Sequence, residues 1–155
     1  MRRLELSMIG FVLFGATAVV RADPDRPDLN GTWKLNQSAD NSAQESKEFV
    51  LTINETGQHI HITETRGPRP KEDVSDFACA TTGQECGIED GGEKAKAFVY
   101  YNGPVLVILK THGRKGDTVD KQRLTLSPDG NSLVLEIEHI DPAGKDEKLV
   151  LSKGK

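Results

Sequence analysis

The sequence lacks the short motifs by which most active sites are recognised. It contains no G-x-S-x-G nucleophile turn, no H-E-x-x-H zinc-binding pattern and no glycine loop suited to phosphate. The glycine-rich stretch Asp90-Gly91-Gly92-Glu93 is acidic, and carboxylates repel phosphate. These absences predict a protein that is not an enzyme and that carries no cofactor.

Basic charge and aromatic side chains are also scarce. The chain carries 20 Lys and Arg against 24 Asp and Glu, and only 5% of its residues are aromatic. Nucleic-acid-binding proteins concentrate basic side chains on one face, often with aromatic residues among them. The sequence contains no such stripe, so we expect no nucleic-acid partner.

The apolar run near the N-terminus is too short to span a bilayer comfortably. Met8–Val20 holds 13 residues, whereas a transmembrane helix needs about 20. Arg2 and Arg3 precede the run, and Val20-Arg21-Ala22 follows it with side chains that suit a cleavage site. This layout predicts a signal peptide over residues 1–22, a secreted or periplasmic protein, and no membrane span after cleavage. A retained membrane anchor is the alternative.

A convincing helical period is missing from the rest of the chain. Residues 23–28 (DPDRPD) are charged and rich in proline, which predicts a flexible N-terminal segment. The one helical candidate, residues 39–47, is poor in apolar residues, which favours a loop. We therefore expect one all-β domain over residues 29–155.

Alternating apolar residues and turn signals fill that domain. Phe49, Leu51 and Ile53 share one face of a predicted strand, and similar alternation recurs along the chain. Asn102-Gly103 is the strongest two-residue hairpin signal. The pattern gives about eight or nine short strands. Because closing the sheet removes its exposed edges, the pattern predicts an antiparallel up-and-down β-barrel.

The interior of such a barrel is either filled by side chains or encloses one small, largely apolar ligand. Both versions have the same apolar pattern, so the sequence leaves the choice open. If the barrel has a cavity, we expect its lining to include Phe49, Leu51, Ile60, Ile62, Phe98, Tyr100, Val107 and Leu135.

The two cysteines, Cys79 and Cys86, are close enough in sequence to join the arms of one hairpin. In an exported chain, two neighbouring cysteines most simply form a disulfide. A metal site or a pair of reactive thiols is the alternative, and neither a C-x-x-C spacing nor a nearby histidine supports it. We therefore predict a disulfide between them.

His59 and His61 form the only pair of histidines with metal-binding spacing. Residues i and i+2 of a strand share a face, so both imidazoles can reach one zinc or copper ion. Such a site needs a third ligand, for which His112 and His139 are the candidates. The alternative is that both side chains of the pair face water while Ile60 faces the core.

The triplet Gly31-Thr32-Trp33, closely following the predicted leader, resembles the Gly-x-Trp signature of lipocalins and other calycins. The longer stretch LNGTWKLNQS resembles the opening of small exported bacterial proteins called lipocalin-like. The resemblance implies that Trp33 closes one end of the barrel and that Gly31 lets the entering chain pass close to it. It also implies a basic side chain from the last strand packed on Trp33, for which this chain offers Lys148 and Lys153.

The same resemblance gives two expectations for function. The first is non-enzymatic binding of a small apolar ligand. The second is a protein-interaction role with an extracytoplasmic partner, because some small exported calycin barrels inhibit proteases with an extended N-terminal segment. In this chain, residues 23–28 and Leu29 would form that segment.

Overall fold

The computed structural model describes residues 26–36, 48–67, 73–112 and 118–154, and these ranges form ten β-strands. The strands are β1 (Gly31–Leu35), β2 (Phe49–Thr56), β3 (His59–Arg66), β4 (Asp73–Ala80), β5 (Thr82–Asp90), β6 (Glu93–Asn102), β7 (Val105–His112), β8 (Thr118–Leu126), β9 (Ser132–Asp141) and β10 (Glu147–Lys153). The predicted signal peptide (1–22) and the predicted loop at 39–47 lie outside the described residues. None of the described ranges contains a helix that is long and apolar enough to cross a membrane.

The strands form one closed antiparallel barrel. Each strand pairs with its sequence neighbours, and β1 pairs with β10 to complete the circle, for example at Leu35 and Leu151. The predicted all-β antiparallel barrel is therefore confirmed. Since all ten strands belong to the one sheet, every strand has a partner on both sides.

The strand number corrects the prediction of eight or nine. The stretch from Thr82 to Glu85, which lies between the two cysteines in sequence, belongs to β5, and Thr81 alone separates β4 from β5. Thr82 pairs with Tyr100 and Glu85 pairs with Phe98, with a register shift between them. The polar sequence is held as a strand because β6 supplies its backbone partners.

The core lies inside the barrel and follows the two-residue period of the strands. Along β2 and β3 the buried positions include Leu51, Ile53, Ile60 and Ile62. The core cluster comprises Leu29, Trp33, Phe49, Leu51, Ile53, Ile60, Ile62, Phe77, Cys79, Ile88, Ala95, Ala97, Val99, Leu106, Ile108, Leu124, Leu133, Leu135, Ile137 and Leu151.

The two ends of the barrel differ in their connections. Short turns at 57–58, 103–104 and 127–131 and the single residue Thr81 meet at one end, together with the entering segment 26–30. We call this the closed end. The last residues of β1, β3, β5, β7 and β9 lie at the opposite end, which we call the open end.

Candidate functional site

Charged side chains occupy inward positions at the open end, where the sequence pattern predicts apolar ones. On β3, Glu64 and Arg66 continue the parity of Ile60 and Ile62, and Glu64 is buried. On β7, Lys110 lies on the same face of the strand as the core residues, and it is buried as well. The inner layer thus changes from apolar to ionic toward this end.

Lys110 is held by two carboxylates and an aromatic ring. Its Nζ donates a hydrogen bond to Glu64 Oε2 at 3.0 Å and lies 3.6 Å from Asp90 Oδ2. The same Nζ lies 5.2 Å from the centre of the Phe77 ring. The side chains of Lys110 and Glu64 are only 3% and 5% exposed. Moving a charge out of water costs several kcal/mol, so this ammonium depends on its partners.

Two histidines extend the network across the next strands. His112 Nε2 lies 3.3 Å from Asp90 Oδ2 and 3.8 Å from Asp120 Oδ2. Asp120 Oδ1 in turn lies 2.6 Å from His139 Nδ1. One carboxylate therefore bridges the imidazoles of β7 and β9.

The network then returns to the strand where it began. His139 Nε2 lies 3.5 Å from Glu147 Oε1, and Glu147 Oε2 lies 3.6 Å from Arg66 Nη1. Because Arg66 and Glu64 are both on β3, the contacts close a circle. We call this set the ionic ring; it consists of Glu64, Lys110, Asp90, His112, Asp120, His139, Glu147 and Arg66.

The ring changes the titration of one of its histidines. The hydrogen bond to Asp120 raises the pKa of His139 above its usual value, partial burial opposes that shift, and Glu147 adds a smaller increase. The protonated imidazolium of His139 is thus favoured by its two carboxylate neighbours.

A cavity of about 240 Å³ lies against the ring at the edge between β3, β4 and β5. Its lining consists of Glu64, Arg66, Asp73, Val74, Ser75, Asp90, Gly91 and His112. A second, larger depression of about 470 Å³ lies beside it and shares Asp73, Val74 and Gly91. Both depressions therefore meet at the start of β4.

Two buried polar atoms at this end have no hydrogen-bond partner within the described ranges. They are Ser75 Oγ, in the cavity lining, and Gln122 Oε1, one inward position below Asp120 on β8. Ser75 is only 4% exposed. A buried polar atom without a partner is unfavourable by about 1–3 kcal/mol, so both atoms are suited to a bound molecule or water.

The predicted cavity residues are divided between the two faces of the barrel wall. Phe49, Leu51, Ile60, Ile62 and Leu135 lie in the core cluster, and none of the eight predicted residues lines the 240 Å³ cavity.

The other three predicted residues are corrected to the outer face. Phe98 and Tyr100 alternate with the inward positions Ala97 and Val99 on β6, and Val107 is paired with Tyr100. The sequence AFVYY is apolar on both faces, so alternation alone did not decide which face is inward. Pairing with β7 decides it.

The predicted disulfide between Cys79 and Cys86 is formed, with its Cα atoms 5.8 Å apart. The strands β4 and β5 pair at Ser75 with Asp90 and at Asp76 with Glu89. The two cysteines continue that register three positions farther along. The disulfide therefore links the two strands beyond their paired residues.

The histidine pair on β3 lies away from the ionic ring. His59 and His61 are exposed on the outer face, opposite Ala80 and Ala78, and His61 also contacts Asp76. His112 and His139, the suggested additional ligands, have inward parity and belong to the ring. Within the described ranges, no three His, Cys, Asp or Glu side chains are grouped to hold a metal ion.

Trp33 lies at the closed end and is fully buried. Its Nε1 donates a hydrogen bond to the carbonyl oxygen of Leu29 at 3.0 Å, and Lys153 Nζ lies 5.3 Å from its ring. Gly31 has φ of 134°, and a Cβ there would be 3.1 Å from Lys153 Cε. The backbone conformation favours glycine at this position, and a side chain there would also displace the end of the Lys153 side chain.

Arg26 attaches the entering chain to the same end. Its guanidinium lies 4.2 Å from the Tyr101 ring centre and 3.3 Å from Glu55 Oε1, and it donates to Thr81 and to the Gly57 carbonyl oxygen. Burial, followed by the hydrogen bond to Glu55, raises the pKa of Tyr101. The segment predicted to be flexible is therefore anchored from Arg26 onward, while residues 23–25 lie outside the described ranges.

Comparison with known proteins gives similarity in structure alone. No protein-family model matches the chain, and no curated protein matches it. Among solved structures, it is similar to the REP1-NXSQ fatty acid transporter, with a TM-score of 0.62, 15% identity, and coverage of 83% of this chain and 97% of that one. It is also similar to Caenorhabditis elegans lipid binding protein 8, with a TM-score of 0.60, 10% identity, and coverage of 81% and 94%.

A third similar structure is the secretory abundant heat soluble protein 4 from Ramazzottius varieornatus. Its TM-score is 0.58 at 15% identity, with coverage of 81% of this chain and 94% of that one. At such identities the likeness concerns the fold. The chain therefore shares the closed β-barrel fold of these structures, and in this chain the barrel has ten antiparallel strands.

Proposed function

We propose that this protein is an exported, non-enzymatic barrel that binds one small, largely apolar ligand at its open end. The observation that carries the proposal is the 240 Å³ cavity, which lies against the ionic ring at the open end of a closed barrel. Small-molecule sites commonly occur at the mouths of β-barrels. Because the cavity is smaller than the roughly 300–1,000 Å³ of typical ligand pockets, it favours a small ligand over a long lipid.

The fold comparisons support a binding role. One similar structure is described as a fatty acid transporter and another as a lipid binding protein. These descriptions belong to distant relatives in structure. Their relevance here is that the same architecture admits apolar ligands.

The chemistry of the open end supports binding rather than catalysis. Ser75 Oγ, the hydroxyl in the cavity lining, has no hydrogen-bond partner in the described parts of the chain, so no base is placed to activate it. His112, the imidazole in the lining, is engaged by Asp90 and Asp120. These side chains hold one another in place.

Export is supported by the disulfide together with the predicted signal peptide. Disulfides persist in oxidising compartments such as the periplasm and the extracellular space. Intact-mass measurement of protein from its own host tests this proposal. We expect a chain beginning at Asp23 with one disulfide; an uncleaved, reduced chain would contradict export.

Native mass spectrometry of the protein purified from its own host tests the binding proposal. We expect a single adduct, released by organic solvent, with the mass of one small organic molecule. A protein that carries no adduct and gives no saturable calorimetric signal with the small neutral probe 1-octanol would contradict the proposal.

A further inference from the structure

Among the described side chains of the ionic ring and of the cavity lining, acidic and basic groups are unequal in number. The carboxylates are Glu64, Asp73, Asp90, Asp120 and Glu147, and the permanent cations are Arg66 and Lys110. His112 and His139 can add positive charge when protonated. With both histidines protonated, the carboxylates still outnumber the cations.

The cations are already occupied. Lys110 is shared between Glu64 and Asp90, and Arg66 faces Glu147 while its guanidinium lies 4.9 Å from the Phe49 ring. A carboxylate ligand would have to displace one of these protein carboxylates and accept repulsion from the others. The site therefore disfavours an anion.

The unused hydrogen-bonding capacity consists mainly of acceptors. Asp73 lines the cavity and forms no ion pair with any described residue. Ser75 Oγ, also in the lining, is buried without a partner in the described parts of the chain and can accept a hydrogen bond. A ligand that brings several N–H donors matches this set, whereas a carboxylate brings none.

We propose that the ligand taken at the open end is a small apolar molecule with a protonated amine, held by Asp73, Asp90 and the Ser75 hydroxyl. The ammonium group offers three donors and one positive charge to the excess carboxylates. Val74 is the residue of the cavity lining with an apolar side chain, and it is 44% exposed. This assignment rests on the proposed binding function and adds the charge of the ligand to it.

Three probes that share an eight-carbon chain test the assignment by calorimetric titration at pH 7. They are octylamine, which is protonated like lysine, neutral 1-octanol, and octanoate. We expect octylamine to bind at least about tenfold more tightly than octanoate, with octanol between them. We also expect the affinity for octylamine to decrease as the salt concentration rises from about 0.02 to 0.5 M, while the affinity for octanol stays the same.

The outcomes separate the two proposals. If octanol binds but octylamine is no better than octanoate, the amine assignment is wrong and the binding function stands. If none of the three probes binds, the binding function fails and the amine assignment fails with it.

A matched pair of variants locates the charge effect. Asp73→Asn removes a cavity carboxylate that has no ion pair with a described residue, so the fold should be retained, and Glu136→Gln removes one charge from the outer face of β9. We expect Asp73→Asn to weaken octylamine about three- to fivefold and to leave octanol unchanged. Equal weakening by Glu136→Gln would show general charge attraction and would overturn the site.

Discussion

The two ends of the barrel are built from different interactions. At the closed end, Trp33 and Leu29 are fully buried, joined by one hydrogen bond, with Lys153 against the indole ring. At the open end, the ionic ring takes the inward positions, and a cavity lies against it. The comparison teaches that burial by itself does not mark the functional end, since Lys110 is about as buried as the core.

Trp33→Ala should have the largest effect on stability. Removing the buried indole leaves a void and a carbonyl without its donor, so we expect the free energy of unfolding to fall by about 3–5 kcal/mol. Urea unfolding measures this loss. The protein that remains folded should bind octylamine as before, because the cavity lies at the other end. A specific loss of binding would contradict the separation of the two ends.

Lys110→Met should lower the free energy of unfolding by about 3 kcal/mol, because it leaves the Glu64 carboxylate buried without its cation. The double variant Lys110→Met with Glu64→Leu removes both charges and should recover most of that loss. Urea titrations of both variants provide the measurement. If the double variant is no more stable than Lys110→Met alone, the stability lost in the single variant does not come from the unpaired Glu64 carboxylate.

Replacing both Cys79 and Cys86 by serine should have a smaller effect. Loop entropy for a closed loop of about eight residues gives roughly 2.5 kcal/mol. Because β4 and β5 pair directly at only two positions, amide exchange should accelerate along these strands and remain unchanged in β8 and β9. A uniform acceleration of amide exchange throughout the barrel would show that the disulfide does not specifically stabilise the contact between β4 and β5.

Replacing His139 should have the smallest effect on the free energy of unfolding, and this effect should depend on pH. Its pKa is raised in the folded state, so its stabilising contribution is complete below about pH 6.5 and disappears as the pH rises through the higher folded value. The stability difference between the wild-type protein and His139→Gln should therefore be larger at pH 6 than at about pH 8.5, by less than about 1 kcal/mol. A difference that grows with pH would contradict the proposed contact with Asp120.

The barrel could be predicted because its signals are local. Alternation along β2 and β3, the Asn102-Gly103 turn and the spacing of the two cysteines each depend on a few adjacent residues. The sequence did not predict which face of β6 points inward, because Phe98 and Tyr100 are as apolar as the inward residues. The first part of β5, Thr82 to Glu85, was not predicted as strand because its polar sequence has no apolar alternation, and β6 supplies its backbone partners.

The ionic ring was not predicted, although a signal for it is present. Glu64 and Lys110 have the parity of neighbouring core residues, and a charge at a core position calls for a partner. The partner itself comes from a distant strand: Glu64 and Lys110 are 46 residues apart. Register around the closed barrel, and not local pattern, brings them together.

The most direct test of the account is to map amide chemical shifts by NMR while octylamine is added. We expect saturable shifts at Ser75, Asp90 and Gly91 around the cavity, and no shift at Leu29 or at the Trp33 indole. Shifts centred on Leu29 and Trp33, or a titration that changes no amide at the open end, would contradict the claim that the open end is the binding end.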